Sequence, residues 1–304
     1  MGYTFGMKEL AIIGPTASGK SDLALRLAIE CNGYILSIDS LSVYKEIDVA
    51  SAKPSKEELS KVRHFGVDLL SPDETFSVTL FFDCYRRAKA AAERDGKNLV
   101  IVGGTSFYLK SLLEGLSPTP EISEATRRKA DALLQDQEAA YTLLQAADPE
   151  YMARIEPTDR YRTEKMLHLY LESGRTPTEW FTAHPPVPVT EHLPIYEIDV
   201  DRALLRERIV LRTRKMIEMG LIDEVAELER KYGRAPNAMK AIGIIEVLEY
   251  LDGLVTKEEM IENIVTHTAQ LAKRQQTFNR NQFGEKKVLE PEAFYEDAAA
   301  YLKG

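Results

Sequence analysis

Apolar residues in the first hundred positions fall into short unbroken runs. LAIIG at 10–14, GYILSID at 33–39 and NLVIVGG at 98–104 are of strand length, and each ends in a glycine or polar turn. Helical segments follow them, one from about Lys20 to Cys31 and one in TSFYLKSLLEGL at 105–116. Strands that end in Gly, Asp and Gly-Gly turns and feed helices predict an α/β fold with a parallel sheet. Ligands of such sheets sit beyond the carboxyl ends of the strands. Asp39 and Gly103–Thr105 are therefore expected beside the glycine-rich turn at 14–19.

The alternation stops at SPTPEISEAT, residues 117–126. Helical patterns occupy roughly 123–147 and 159–173, and the proline-rich TPTEWFTAHPPVPVTEHLP (176–194) leads to IYEIDV (195–200), a strand returning to the sheet. Beyond Arg202 the pattern is helical to about Arg280, with breaks near KYGRAPNAMKAIG and LDGLVTKEE. No fixed-period repeat or low-complexity tract is present. A chain of 304 residues exceeds a typical single core. The expected organisation is an α/β core over 7–117 and 191–304, interrupted by a mostly helical insertion over 118–190.

Composition narrows the class. Hydrophobic residues are 44% and charged residues 29%, as in globular proteins, and no apolar run reaches membrane-spanning length. The opening MGYTFGMKEL lacks a basic segment followed by an apolar one, so no leader peptide is expected. The two cysteines, Cys31 and Cys84, form no C-x-x-C pair, which fits a reducing cytoplasm and speaks against a cysteine-built zinc site. The net charge of −9 opposes nucleic-acid binding by bulk electrostatics. That charge is uneven, however. Asn263–Gly284 holds no acid but carries Lys273, Arg274 and Arg280, and Arg202–Lys215 sets six basic residues against Glu207. Each stretch is either a solvated helix face or a basic strip for an anionic partner.

Gly14-Pro15-Thr16-Ala17-Ser18-Gly19-Lys20-Ser21 satisfies G-x-x-x-x-G-K-S/T in full, between an expected strand and an expected helix. The glycines let backbone N–H groups converge on an anion, and the helix N-terminus adds a favourable dipole. Lys20 supplies positive charge, and the Ser21 hydroxyl is a magnesium ligand candidate. The loop specifies a polyphosphate, not a reaction. No guanine-reading N-K-x-D occurs, and no apolar strand ends in Asp-Glu as in many ATPases. Asp39, just past the second strand, is placed to bind a metal, to accept a proton or to cap a helix.

GPTASGKS, then SIDSLSVY with AKP soon after, then IVGGTSFYLKSLLEGL, and finally LAKRQQTF occur in this order over most of the chain. The combination resembles the tRNA dimethylallyltransferase family. The resemblance implies a fold like small P-loop kinases, a helical insertion that meets tRNA, and transfer of a dimethylallyl group from dimethylallyl diphosphate to N6 of adenine 37 in the anticodon loop. It also implies Mg²⁺ and released diphosphate; because the base must reach a buried site, the target nucleotide is expected to flip out of its stack. A monomer is expected. Mapped onto this chain, Asp39 takes the general-base position. Gly14–Ser21 take the diphosphate-binding positions, with Thr16 also in the catalytic set and Ser21 on the metal. Arg212, in RTRKMIEMG, matches the arginine that holds the diphosphate. The positions matching tRNA contacts are Asp39, Ser40, Leu41 and Ser42, Thr105, Arg162 and Lys165, Lys240, and Lys273, Arg274, Gln275 and Arg280.

The chain departs from the family pattern at three places. Ile244 and Ile245 stand where an aromatic and a basic residue are common, Thr268-Ala269-Gln270 replaces T-R-Q, and Lys165 replaces a second arginine. The isoprenoid pocket has no motif of its own. Phe107, Tyr108 and Leu109 are its candidates, with a core helix as the plainer reading, and Trp180 either stacks on RNA or packs. The five histidines show no metal-ligand spacing and are expected to be structural or exposed. Two alternatives share the loop: a small-molecule or nucleoside kinase using ATP, and an RNA-binding protein that holds a nucleotide without turnover.

Overall fold

Each of the three apolar runs forms a buried strand, because a short run with no polar face has no stable position except inside a sheet covered on both sides. The chain is described by a computed structural model over residues 6–304; residues 1–5, where the opening MGYTFGMKEL begins, lie outside the described residues. β1 (Glu9–Ile13) leads through the phosphate loop into α1 (Lys20–Glu30). β2 (Gly33–Ser37), α2 (Lys56–Lys61), β3 (His64–Phe65), α3 (Val78–Asp95), β4 (Asn98–Val102) and α4 (Ser106–Glu114) follow. α3 buries Phe81, Phe82, Tyr85, Ala88 and Ala92 along one face, with Ser77 capping its start and Gly96 its end.

Residues 114–189 form a compact unit of their own. It contains α5 (Glu124–Leu133), α6 (Gln137–Ala147), α7 (Pro149–Met152), α8 (Arg160–Ser173) and α9 (Pro177–Ala183) around a core that includes Leu134, Tyr141, Leu144, Met152 and Leu167. The continuous helix expected over 123–147 is two helices, because Asp136 caps a new start by accepting the Ala139 N–H. Asp148 organises the turns of this unit, accepting N–H from Tyr151 and Thr178. Trp180 packs: its indole donates to the Pro118 carbonyl at 2.8 Å and its ring stacks on His184.

The first unit resumes with β5 (Ile195–Ile198), α10 (Arg202–Glu218), α11 (Leu221–Tyr232), α12 (Ile244–Leu251), α13 (Lys257–Gln282), β6 (Lys287–Leu289) and α14 (Pro291–Lys303). Its six strands are parallel, in the order β3-β2-β4-β1-β5-β6. Two edge strands had no visible pattern, being two and three residues long, too short to display a period. The register sets Val102 of β4 beside both Ile12 of β1 and Ser37 of β2. The carboxyl ends of the three central strands are thus level, and the turns after them share one edge. Gly103 makes that convergence possible. A Cβ there would lie 2.8 Å from the Ile38 carbonyl carbon and 3.0 Å from the Asp39 nitrogen. Among the described residues, no helix is long and apolar enough to cross a membrane.

Candidate active site

The loop after β1 wraps because Gly19 adopts φ +88° at the start of α1, a conformation open to glycine at little cost. Lys20 folds back over this loop. Its ammonium donates to the Pro15 carbonyl at 2.9 Å, and the side chain is buried. Burial, and then the positive charge of Arg212, push its pKa down to about 8, with Asp39 acting in the opposite direction. Arg212, on α10, approaches the Thr16 hydroxyl at 3.4 Å. Burial lowers its pKa too, again opposed by Asp39. The site is an excess of partly desolvated positive charge facing one carboxylate.

Asp39 is held by its own turn. Its Oδ1 accepts the N–H groups of Leu41 at 2.8 Å and Ser42 at 3.1 Å, so Asp39 caps a turn while remaining half-buried on the cavity. Its backbone N–H donates to Ser37 Oγ, which pairs with Ser42 Oγ at 3.0 Å. The next residue, Ser40, donates its N–H to Thr105 Oγ1 at 3.2 Å and so joins the β2 and β4 turns. Gln275 of α13 joins the β4 turn to the phosphate loop. It accepts the Thr16 N–H at 2.8 Å and donates to the Gly104 carbonyl at 3.0 Å. Gln275, which sequence matching marked as an RNA contact, also lines the cavity.

These groups line a cavity of about 530 Å³ that also carries Lys240, Arg274 and an apolar lining from Phe107, Ile209, Met216, Ile264 and Phe278. A smaller adjoining space of about 210 Å³ holds Thr16, Lys20, Ser21, Asp39 and Arg212. Of the three residues proposed for apolar walls, only Phe107 lines the cavity. Leu109 is in the core, and Tyr108 packs on Phe76 and Phe81. Lys273 and Arg274 flank an open groove along α13 with Thr277 and Phe278, while Arg280 lies exposed further along the helix. Arg162 and Lys165 belong to the 114–189 unit. There Arg162 pairs with Asp159 at 2.9 Å, and Lys165 lies over the Tyr161 ring.

Sequence reasoning missed Arg208, whose guanidinium donates to the Ser18 carbonyl at 3.2 Å. Its signal was present. Arg208 precedes Arg212 by four residues, one helical turn, so both reach the same surface. It also missed the cavity walls supplied by α10 and α13, which no local pattern distinguishes from ordinary core. Among the histidines, His64 bonds the Val62 carbonyl, His267 bonds the buried Glu246 at 2.6 Å, and His192 is exposed.

A phosphate loop at the head of a parallel sheet, with an arginine-bearing helix against it and an apolar cavity alongside, defines a P-loop α/β protein with a site for a phosphorylated ligand. Comparison with known proteins gives the family. The IPP transferase family model matches residues 42–282, and the chain belongs to that family. A tRNA dimethylallyltransferase of Sulfurimonas denitrificans is 56% identical over 277 residues, covering 91% of this chain and 93% of that protein. One of Wolinella succinogenes is 50% identical, covering 96% and 97%. Among solved structures, a tRNA isopentenylpyrophosphate transferase of Bacillus halodurans superposes with a TM-score of 0.71 at 29% identity, covering 97% of this chain and 95% of its own. A eukaryotic dimethylallyltransferase solved acting on tRNA shares the fold, with a TM-score of 0.84 at 24% identity, covering 97% of this chain and 77% of its own.

Proposed function

We propose that this chain transfers the dimethylallyl group of dimethylallyl diphosphate to N6 of adenine 37 in the anticodon loop of tRNA, releasing diphosphate. The observation that carries this reading is an apolar-walled cavity that holds Thr16, Asp39 and Arg212 and adjoins the space lined by Lys20 and Ser21. A dimethylallyl donor needs an apolar compartment beside its diphosphate, and the cavity supplies one.

In this reading the amides of Gly14–Ser21, Lys20 and Arg212 hold the diphosphate, and Arg208 braces the loop at Ser18. The planar guanidinium of Arg212 suits two phosphate oxygens at once. As the allylic C–O bond breaks, the electron pair stays on the leaving diphosphate, where these cations neutralise it. The adenine N6 lone pair, delocalised into the ring, is a weak nucleophile until its proton is drawn away. Asp39 accepts that proton as the C–N bond forms. Its Oδ1 is occupied by two amides, which leaves Oδ2 to face the amine.

The oxygen donors beside the cradle, the Ser21 hydroxyl and the Asp39 carboxylate, suit a hard cation such as Mg²⁺. Ser21 would hold the ion, which would add charge stabilisation to the leaving group. The exposed basic residues Lys240, Lys273, Arg274 and Arg280 would hold the RNA backbone around the flipped base, with Arg162 and Lys165 of the insertion contributing further contacts. We assign the chain to the cytoplasm, in keeping with two free buried cysteines, and infer that it acts as a monomer.

Incubation with labelled dimethylallyl diphosphate and unmodified tRNA tests the reading, with label expected at adenine 37. ATP consumption without label in RNA would overturn it. Asp39→Ala is expected to lower kcat by at least about a hundredfold, while tRNA affinity in a filter-binding assay stays within about threefold.

A further inference from the structure

The part of the cavity wall that carries Ala50 and Ser51 is held from behind by a carboxylate that no motif marks. Glu224, in the first turn of α11, accepts three consecutive backbone N–H groups: Asp48 at 2.9 Å, Val49 at 2.7 Å and Ala50 at 2.9 Å. Successive amides converging on one anion form a filled nest, and bonds to a charged acceptor are stronger than neutral ones. α11 grips the same loop again from its other end. Lys231 donates to both carboxylate oxygens of Glu46 at 2.7 Å, and the Tyr232 hydroxyl bonds it as well.

The gripped segment needs holding. Glu46 and Ala52 have φ of +64° and +46°, left-handed conformations that cost side-chain-bearing residues free energy. Lys53 ties the loop from within: its almost fully buried ammonium donates to the Tyr44 carbonyl and pairs with Asp48 and Asp68. The backbone of 46–53 is therefore set by charged anchors on two sides, and two small residues of it line the cavity together with Ile209, Met216 and Ile264.

We propose that Glu224 is a positioning residue for the prenyl donor: by gathering the 48–50 amides it fixes the wall formed by Ala50 and Ser51 and so sets the width of the apolar cavity. This rests on the reading of that cavity as the donor site. Without the carboxylate the three amides lose their acceptor, the loop relaxes from its strained backbone and the wall recedes. A loosened wall weakens the fit of a short prenyl chain and tolerates a longer one.

The test compares wild type, Glu224→Gln and Glu224→Ala with dimethylallyl and geranyl diphosphate as donors. The Gln variant keeps the side-chain shape but turns an NH₂ group toward an amide. For both variants, KM for dimethylallyl diphosphate is expected to rise about tenfold, and the kcat/KM preference for dimethylallyl over geranyl to fall about tenfold. KM for tRNA and kcat stay within about threefold. A merely structural role would reduce the amount of active protein and leave donor KM and donor preference unchanged; that result overturns the proposal. Should Glu224→Ala fail to fold, Glu224→Gln and hydrogen exchange of the wild type decide. The 48–50 amides should exchange at least about a hundredfold more slowly than an open loop, and fast exchange there overturns it. Wild-type protein that transfers neither donor refutes the donor-site reading itself and takes this proposal with it.

Discussion

Lys20 shows how burial tunes one residue for anion binding. Held against the Pro15 carbonyl and near Arg212, its ammonium has a pKa of about 8 instead of the ordinary value of 10.5. In the proposed function the charged form binds the diphosphate, and the bound anion stabilises that charge. Because the free-site pKa is depressed, the charge is present below about pH 8 and is lost as pH rises through it. KM for dimethylallyl diphosphate should therefore be flat below about pH 8 and rise above it, approaching tenfold per pH unit. kcat at saturating donor should change less. Lys20→Arg keeps its charge throughout and should abolish the rise, as steady-state kinetics from about pH 7 to 9 will show. Asp39 and Gln275 make a related point. Each matched a motif, but Asp39 is aimed by its own turn, through Ser37, Leu41 and Ser42, whereas Gln275 is aimed by Thr16 and Gly104, 259 and 171 positions away.

At the scale of elements, the site depends on three strands ending level and on two helices from the far half of the chain. Gly103→Ala tests the first requirement. Its Cβ would meet backbone atoms of Ile38 and Asp39 at 2.8 and 3.0 Å, so the β2 and β4 turns must separate. Stability by urea denaturation should fall by about 1–3 kcal/mol. kcat should fall further than a remote substitution of equal cost, because Asp39 moves. Much at this scale was legible in advance. The apolar runs at 10–14, 33–39 and 98–104 became β1, β2 and β4, since a strand of continuous hydrophobes declares itself locally. α3 and the final β6–α14 segment were not singled out, and the break at Gly220 between α10 and α11 went unseen, because a single glycine within a helical pattern is a weak signal. The cavity walls on α10 and α13 were illegible for a different reason. Ile209, Met216 and Ile264 follow helical spacing, and spacing alone does not separate a residue facing a core from one facing a cavity.

For the whole molecule, an acidic chain is proposed to serve an acidic partner. The net charge of −9 repels RNA at long range, so binding must rely on local basic strips such as the face of α13 that carries Lys273 and Arg274. tRNA affinity should fall steeply with salt, and Lys273→Ala should reduce the slope of log Kd against log salt by about one. KM for the small donor, held in a partly buried cradle, should depend on salt much less. Equal salt slopes for wild type and Lys273→Ala would remove Lys273 from the interface.

The sequence by itself determined the strand runs, the phosphate loop, the family and the identity of the charged residues, since each is encoded in contiguous patterns whose physics is local. Only the tertiary structure decided which of those residues share a site. It brought Arg208 and Arg212 to the loop, bonded Gln275 to the phosphate loop and the β4 turn, and set Glu224 behind the 48–50 amides. Local patterning fixes what a segment can form. The distances that make a cavity depend on how segments far apart in sequence pack, and no single segment carries that information.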